Sequence, residues 1–450
     1  MSRFFDDFKK GNKEEWEARL ISDLKGKDPS LLQVDDQIEA LQFSSYYHAE
    51  DLTKNNEAPG TFPYTRGMYE VDNAWKNGAL VSIENEVAAN SKALDALNNG
   101  ADLLVFNSSS KETNWPQVLD TIELEYIETQ FVLHTEEDYN ALRKYVGNTS
   151  DTVHFSIDFL FDEWTEGSFS SIAEDFRSKQ VPFCAVNAYK IQQCGANTSQ
   201  EIAFSLACGH EYLVRLMDLG FTIDEAAACI GFKIGVGAKY VLEIGKFRAL
   251  RHAWSKIIEA YSPSQESSYN CRITAVVGHL NKSLADPYTN LLRQTMEAMS
   301  ALASAVDGIV VLPYDHYSKN GSSELSERMA LNISSILKEE SFLDKVIDPL
   351  GGSYSLETIT QKIGEKAWAY FQELEKRGGI HVDSAQHFLR SEIEGCRAIR
   401  IHLLHGGQNV LIGVNKYPDP KSNSDEWGAL PSYFGLTYLI LEQAAKMEHV

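Results

Sequence analysis

The sequence predicts an α/β protein built on a (β/α)8 TIM barrel, with an N-terminal extended arm and a C-terminal helical region. From about residue 79, short apolar runs alternate with longer amphipathic stretches, a pattern typical of parallel strands covered by helices. Eight such units occupy roughly 260 residues, which matches the barrel in count and length. A doubly wound open sheet is the alternative, but no glycine-rich fingerprint follows the first strand.

Eight apolar runs are predicted as the barrel strands. They lie at 79–85, 103–107, 130–134, 153–159, 181–187, 230–236, 272–278 and 309–315. Amphipathic helical patterns fill most of the gaps, and the longest of them spans 199–220. We expect the barrel domain to occupy residues 58–345 and to begin with an irregular, proline- and glycine-rich segment at 58–67.

The regions on either side of the barrel lack this alternation of strand and helix patterns. Residues 1–57 read as an arm and linker, because Trp16, Leu20 and Leu24 recur at helical spacing before glycine, proline and asparagine interrupt the pattern. Residues 346–450 are predicted to form a helical extension. Its helices are expected at 357–377, 383–404 and 434–447, with a strand-like segment at 410–418.

Composition excludes several classes of partner. Lysine and arginine total 41 against 64 acidic residues, so the net charge is −23, which disfavours nucleic acid and anionic membrane surfaces. No apolar run reaches about 18 residues, and the N-terminus lacks the apolar core of a secretory signal. The six cysteines show no CxxC spacing and mostly lie in apolar segments, as expected for buried, reduced thiols. These features predict a cytoplasmic protein.

Chemistry in such a barrel is expected at the carboxyl ends of the strands. Those ends carry Asn85, Asn107, Ser108, His134, Asp158, Asn187, Tyr189, Lys190, Val236, Gly278, Tyr314, Asp315 and His316. Asp158 and Asp315 are the only acids among them, and capping or ion pairing explains them better than glycosidase chemistry. Lys190 is a candidate Schiff-base lysine, although a surface lysine is the simpler interpretation.

Two further candidates are weaker. A metal held by His134 and His316 with one of the strand-end acids has little support, because the ligands are single and lie on separate loops. Arg272 is at the start of a predicted strand, and it is as consistent with a phosphate contact as with an ordinary surface arginine. The glycine-rich segment 348–354 lacks a P-loop lysine and is interpreted as a turn.

Several ordered strings resemble the methylmalonyl-CoA mutase family, and in particular its small, or beta, subunit. They run from about residue 14 to residue 417 and comprise EEWEARLISDLKGKD with YHAEDL, FPYTRGMY, NAYKIQQCGANTSQEIAFSLACGHEYL, LEIGKFRALRHAW, DPYTNLLRQTMEAMSA, VIDPLGGSY and LIGVNKY. The resemblance implies an isomerase family that interconverts methylmalonyl-CoA and succinyl-CoA with adenosylcobalamin. It implies that the acyl-CoA chain threads the barrel axis and that a separate C-terminal domain holds the cobalamin.

The sequence departs from the catalytic members where they hold CoA. The run of tyrosine, threonine and arginine residues expected after the FPYTRGMY string is absent, and only Tyr69 matches a CoA-contacting position. Arg272 matches an arginine that contacts CoA in those members, and Thr274 replaces their serine two residues on. The substrate-clamping arginine has no match. Bulky aromatics occupy that region and are expected to fill the barrel: Phe155, Phe159, Phe161 and Trp164.

The catalytic positions have changed as well. Tyr189 is retained, but Lys190 stands where the family has the histidine that hydrogen-bonds the thioester, and Gln193 replaces an acid near the cofactor. The cobalt-ligating motif Asp-x-His-x-x-Gly is absent from these 450 residues. We therefore expect no catalytic residues, no bound metal and no cobalamin on this chain, with adenosylcobalamin belonging to the holoenzyme.

These departures favour a non-catalytic small subunit that forms a heterodimer with the large catalytic subunit, its N-terminal arm wrapping that partner. A homodimer is possible when the chain is alone. The alternative is an active adenosylcobalamin-dependent acyl-CoA mutase whose cobalamin domain is on another chain, with Tyr189, Lys190 and Arg272 rebuilt into a working site. A third interpretation keeps only the barrel and makes Lys190 the Schiff-base lysine of an unrelated lyase.

Overall fold

A closed barrel of eight parallel strands forms the centre of the molecule. The computed structural model describes residues 11–52, 57–108, 113–147, 151–420 and 426–446. The strands of this part of the chain are β1 Val34–Asp36, β2 Leu41–Phe43, β3 Lys76–Ser82, β4 Leu103–Asn107, β5 Glu128–Leu133, β6 Val153–Ile157, β7 Cys184–Val186, β8 Ile230–Val236, β9 Ile273–Val277, β10 Gly308–Val311, β11 Ser432–Tyr433 and β12 Leu436–Thr437. Strands β3 to β10 pair in sequence order, and β10 closes the ring against β3.

The predicted fold class is confirmed. Each of the eight predicted apolar runs overlaps one barrel strand, and the runs at 103–107 and 230–236 match in both bounds. The remaining runs differ from their strands by up to four residues at an end. Such differences arise because apolar residues continue into the loops that lead from each strand to its helix.

Helices surround the barrel and extend beyond it. They are α1 Lys13–Asp23, α2 Glu86–Asn98, α3 Trp115–Val118, α4 Glu136–Val146, α5 Glu166–Phe176, α6 Ala188–Gln193, α7 Thr198–Asp218, α8 Ile223–Ala228, α9 Tyr240–Ala260, α10 Thr289–Leu302, α11 Glu324–Glu339, α12 Tyr354–Lys376, α13 Asp383–His405 and α14 Leu441–Lys446. Side-chain caps start several of them. Asn197 and Gln200 bond reciprocally to each other's backbone at the start of α7, which satisfies N–H groups that the first turn leaves free.

Residues along each barrel strand alternate between the axis and the helices. The axis holds an aliphatic cluster that packs against Leu80, Val132 and Tyr189 and consists of Leu103, Val105, Val276, Val310 and Leu312. The outward positions belong to the main core between sheet and helices. Phe106 and Phe131, for example, stack there with ring centroids 5.6 Å apart.

The aromatic residues predicted to fill the barrel lie elsewhere, so that prediction is wrong. Phe155 points outward from β6 and packs on Tyr139 and Phe176 of the surrounding helices. Phe159, Phe161 and Trp164 belong to the loop after β6 and pack on other aromatics outside the barrel axis. The alternation of the strand decides this outcome, because Phe155 shares its face of β6 with Val153 and Ile157, and all three belong to the core between sheet and helices.

The N-terminal arm folds back onto the barrel. The helix predicted around Trp16 is present as α1, which buries none of its residues and stacks Trp16 on Tyr46 with ring centroids 4.1 Å apart. A short antiparallel hairpin of β1 and β2 follows, which the sequence did not indicate. Glu39 beside this hairpin accepts hydrogen bonds from the backbone N–H and hydroxyl of Thr198, which ties the arm to the start of α7.

The C-terminal region matches two of its three predicted helices. Helices α12 and α13 lie within three residues of the predicted bounds. The strand-like segment 410–418 is instead a loop with one isolated bridge, because Gly413 has a φ of +81° and bends the chain. The helix predicted at 434–447 is wrong in its first half, where Gly435 turns the chain into the hairpin of β11 and β12.

The cysteine prediction is confirmed: all six thiols are free and buried. Within the described ranges, no helix has the length and apolar character needed to cross a bilayer. The division of the chain at residues 57 and 345 stays a prediction.

Candidate functional site

Five of the six residues singled out from the sequence separate into two groups at opposite ends of the barrel, and the sixth lies between them. Tyr189, Lys190 and Gln193 belong to α6, directly after the carboxyl end of β7. Tyr69 and Arg272 lie at the amino-terminal mouth, where both contact the carboxylates described below. Thr274 lies on the axis between them, within hydrogen-bond distance (3.3 Å) of Gln130.

At the carboxyl end, Lys190 extends over an aromatic ring. Strand β7 ends at Val186, and α6 begins two residues later, which places Tyr189 against the aliphatic cluster of the axis. The Nζ of Lys190 lies 4.7 Å from the centroid of the Tyr433 ring, a cation–π contact with the C-terminal hairpin. Among the described residues, no hydrogen-bond or ion-pair partner reaches the Lys190 ammonium.

Asp158 at the end of β6 has a structural environment. Its Oδ2 accepts hydrogen bonds from Asn187 (3.1 Å) and from the Tyr433 hydroxyl (2.7 Å), and its Oδ1 accepts one from the Phe161 backbone. Burial raises the pKa of Asp158, although the charge of Lys190 opposes that shift. The carboxylate therefore anchors the hairpin to the barrel, in keeping with its interpretation as a structural acid.

Gln193 is held by the protein itself. Its Nε2 donates to the Gln192 side chain, its Oε1 accepts from the His279 backbone N–H at 2.7 Å, and its carbonyl accepts from the Leu439 N–H at 2.8 Å. The side chain is 2% exposed. An added Cβ on Gly278 would come within 2.2 Å of its Nε2, so the glycine permits this close fit.

Sequence reasoning missed Lys233, which the structure places on the barrel axis. It lies in the middle of β8, where its neighbours Phe232 and Ile234 point outward into the core. Lys233 is 9% exposed, and burial together with the charge of Lys190 lowers its pKa to about 7. The sequence does contain a signal for this residue, because a lysine stands inside an otherwise apolar strand. Lysine is almost never buried without a partner.

Two cavities lie along the axis and share Lys233 and Thr274. The upper cavity, at the carboxyl end, has a volume of about 270 Å³ and is also lined by polar groups including Asn107, His134, Lys190 and His316. The lower cavity has a volume of only about 30 Å³ and reaches Arg272. A cavity of this volume holds only one or a few water molecules, so the lower part of the axis is nearly filled.

The amino-terminal mouth is neutralised by its own acids. Arg272 forms an ion pair with Glu128 at 2.9 Å, and Tyr69 donates a hydrogen bond to Asp307 at 3.3 Å. Burial alone would raise the pKa of Glu128, but His154 and Arg272 outweigh it and hold that pKa at about 2. Arg272 therefore already has a buried carboxylate as its partner.

The remaining candidates have local explanations. His134 lies between Asp162 (2.9 Å) and Asn107 (3.1 Å), and the described part of the chain contains no group of three or more His, Cys, Asp or Glu residues placed to hold a metal. Asp315 accepts a hydrogen bond from the backbone of Ser323 before α11. The segment 348–354 forms a turn whose Asp348 pairs with Arg66 and Arg248.

Comparison with known proteins identifies the family. The model of the family described as "Methylmalonyl-CoA mutase" matches residues 173–430. The chain is 31% identical over 443 residues to "Methylmalonyl-CoA mutase small subunit" of Porphyromonas gingivalis, covering 93% of this chain and 71% of that protein. The chain belongs to the methylmalonyl-CoA mutase family.

Two further relatives are called methylmalonyl-CoA mutase. The protein of Cereibacter sphaeroides is 28% identical over 461 residues, and the mitochondrial protein of Macaca fascicularis is 28% identical over 462 residues. The matches cover 89% and 92% of this chain but only 64% and 61% of those relatives. The chain thus spans less than two thirds of the length of these two proteins.

Proposed function

We propose that this chain is a methylmalonyl-CoA mutase small subunit that does not itself catalyse the reaction. It stabilises a large catalytic subunit that interconverts methylmalonyl-CoA and succinyl-CoA in the cytoplasm. The observation that carries the proposal is the nearly filled lower axis of the barrel, where about 30 Å³ remains beside Thr274 and Arg272. A CoA chain threaded along this axis would have to displace Lys233 and the residues packed around it.

The groups at the carboxyl end also favour a structural role. Lys190 occupies the position of the family's histidine, and its ammonium extends over Tyr433. A lysine ammonium is a compact point charge on a flexible stem, so it does not reproduce the planar, directed donor of an imidazole. Tyr189 packs against the aliphatic cluster, and burial raises the pKa of its hydroxyl well above the ordinary value.

The amino-terminal mouth would receive CoA phosphates poorly. Arg272 is paired with Glu128, and Asp307 lies within 3.6 Å of Arg251 while accepting from Tyr69. A phosphate group would therefore approach two carboxylates whose charges oppose its own. Binding would also require the Glu128–Arg272 pair to be broken, which leaves a carboxylate unpaired.

The residues of this barrel do not fit adenosylcobalamin. Gln193, at the position of the family's cofactor-proximal acid, has both polar ends engaged by the protein. Pro431 and Tyr438 of the hairpin segment line the carboxyl-end cavity, so this chain's own residues cover that face. We therefore propose that the holoenzyme's adenosylcobalamin is held by the large subunit and that no catalytic step involves it here.

The N-terminal arm is proposed as part of the interface with the large subunit. Helix α1 buries none of its side chains, and three large apolar residues of the arm are exposed: Ile21, Leu31 and Val34. Contiguous exposed apolar surface marks protein–protein contacts, and we propose that these three side chains contribute to such a patch. The acidic charge of the chain further favours a protein partner over nucleic acid or a membrane surface.

Assembly with the large subunit tests this proposal. The two chains are co-expressed with a tag on the large subunit only, and the purified complex is sized by light scattering. We expect a one-to-one heterodimer, and we expect Ile21→Glu together with Leu31→Glu to weaken it at least ten-fold. The matched control is Tyr126→Glu, an exposed aromatic outside the arm. A monomer or homodimer that ignores the large subunit would overturn the proposal.

An active acyl-CoA mutase with its cobalamin domain on another chain is the competing function. The upper cavity of about 270 Å³, which Tyr189 lines, is the feature that favours it. Turnover by this chain in the presence of a cobalamin-carrying chain that has no barrel of its own would establish it.

A further inference from the structure

Two lysines share the cavity at the carboxyl end of the barrel, and neither has a hydrogen-bond or ion-pair partner among the described residues. Lys190 and Lys233 both line its wall. Asp158 is the carboxylate that could pair with them. Its two oxygens, however, already accept hydrogen bonds from Asn187, Tyr433 and the Phe161 backbone. Lys233 is 9% exposed and Lys190 is half-buried beside it. Buried lysines are ordinarily paired, so Lys233 in particular indicates a ligand that supplies the missing partner.

The rest of the cavity combines apolar walls with a few neutral polar groups. Its aliphatic lining consists of Leu80, Val105, Val132, Val276, Val310 and Leu312. Burial lowers the pKa of His316 to about 4, so this imidazole is neutral near pH 7 and the positive charge comes from the lysines. A volume of about 270 Å³ suits a small molecule of a few carbon atoms.

We propose that this cavity binds short oxo acids and that Lys233 forms an imine with their carbonyl carbon, while Lys190 pairs with their carboxylate. The two lysines have distinct roles because their surroundings differ. Lys233 lies deep on the axis beside aliphatic side chains, whereas Lys190 lies at the rim over the Tyr433 ring. A desolvated lysine next to a second cation is the arrangement that activates an amine as a nucleophile.

The chemistry needs no group beyond the amine and the carbonyl. The lone pair of the neutral Lys233 amine adds to the carbonyl carbon to form a carbinolamine. The former carbonyl oxygen then leaves as water with the two protons of the amine, and a carbon–nitrogen double bond remains. Burial and the charge of Lys190 lower the pKa of Lys233 to about 7, so neutral amine is available near pH 7 and supplies the nucleophile.

Reductive trapping tests the proposal on the intact chain. The protein is incubated with pyruvate and sodium cyanoborohydride at pH 7, and the labelled lysines are located by peptide mass spectrometry. We expect Lys233 to be labelled at least ten-fold more than the exposed Lys376, because burial and the charge of Lys190 lower the pKa of Lys233 to about 7. Lactate, which keeps the carboxylate but lacks the carbonyl, should protect Lys233.

Substitutions separate the two roles. Lys233→Met and Lys233→Arg should both abolish the internal label, and the arginine variant keeps the cation if methionine disturbs the fold. Lys190→Met should reduce labelling at pH 7 several-fold and move its pH dependence upward, whereas Lys190→Arg should not. Lys376→Met is the control with wild-type labelling of Lys233.

Several titratable groups near Lys233 can affect the pH dependence of its labelling. The titratable residues that share its two cavities are Lys190, His134, Tyr189, His316, Tyr317 and Tyr438 above, and His154, Cys184 and Arg272 below. Labelling of Lys233 no greater than that of Lys376 would overturn the proposal, and so would a Lys190→Met variant that labels like the wild type. The inference goes beyond the proposed function and does not depend on the large subunit, because the test uses this chain alone.

Discussion

At the scale of single residues, paired charges stabilise this barrel and also occupy the arginine that could bind a phosphate. Glu128 and Arg272 form a pair at the amino-terminal mouth, 2.9 Å apart, with His154 3.4 Å from the same carboxylate. Because Glu128 already pairs with Arg272, we assign this arginine a structural role and not a role in binding phosphate. Its contribution to stability can be measured through its pH dependence.

Glu128→Gln should reduce the free energy of unfolding by about 3 kcal/mol near pH 6, since 2.5 pKa units correspond to that energy. The folded pKa of Glu128 is about 2 against an ordinary value of 4.5. A lowered carboxyl pKa stabilises the fold above pH 4.5, and this stability is lost as the pH falls toward 2. The difference between variant and wild type should therefore shrink on acidification.

Urea unfolding at pH 6, 4 and 3 measures this effect. Glu14→Gln, on the exposed helix α1, serves as a control that should follow the wild-type curve at each pH. A Glu128→Gln variant whose deficit is constant from pH 6 to pH 3 would contradict the assignment.

A buried cluster of three charged groups should contribute more to the stability of the fold. Lys246 in α9 contacts Glu201 at 2.8 Å and Glu243 at 2.5 Å, and it donates to the Gly235 carbonyl at 2.7 Å. Lys246→Met leaves two buried carboxylates without their cation, so we expect a loss of about 3–5 kcal/mol in the free energy of unfolding. Lys92→Met, which breaks an exposed pair with Glu327, should cost less than about 1 kcal/mol. Equal losses in the two variants would count against this account.

At the scale of elements, the C-terminal hairpin decides how the carboxyl end of the barrel is covered. Phe434 packs on Phe161 and Phe204 with ring centroids 5.4 and 5.6 Å apart, and Tyr433 donates to Asp158. These contacts hold the segment whose residues Pro431 and Tyr438 line the upper cavity.

Phe434→Ala should therefore loosen the hairpin. The side chain is 6% exposed, and truncating a buried phenylalanine costs about 3–5 kcal/mol in a core that cannot collapse around the gap. We expect hydrogen exchange in residues 431–440 to become at least ten-fold faster while the barrel strands exchange as before. Tyr417→Ala, at an exposed aromatic, is the matched control. Unchanged exchange in the hairpin would show that it is held by other contacts.

Element prediction from the sequence succeeded where local patterns are sufficient. The eight barrel strands are apolar runs with helical patterns between them, and periodicity identifies both. The hairpin at 432–437 was missed because its burial depends on Phe161 and Phe204, which are remote in the chain. Phe155 was placed on the wrong face because the alternation of apolar and polar residues in β6 does not reveal that the polar face, with His154 and Ser156, is the one turned to the axis.

At the scale of the whole molecule, the candidate site also depends on contacts that local sequence patterns do not reveal. The sequence identified Tyr189, Lys190 and Arg272, but it did not show that two of them lie at one end of the barrel and the third at the other. The hydrogen bond between Tyr433 and Asp158 joins residues 275 positions apart, which no local pattern reveals. Lys233 was overlooked because it was counted as one more residue of a strand.

Turnover measurements decide whether this barrel, with its nearly filled lower axis, processes acyl-CoA. Conversion of succinyl-CoA to methylmalonyl-CoA is measured with excess adenosylcobalamin for the purified chain alone and for its complex with the large subunit. Tyr69→Phe in this chain removes only the hydroxyl that donates to Asp307. We expect no turnover by the chain alone and the same turnover by the complex whether this chain carries Tyr69 or Tyr69→Phe. Turnover by the chain alone would show that this chain is itself catalytic.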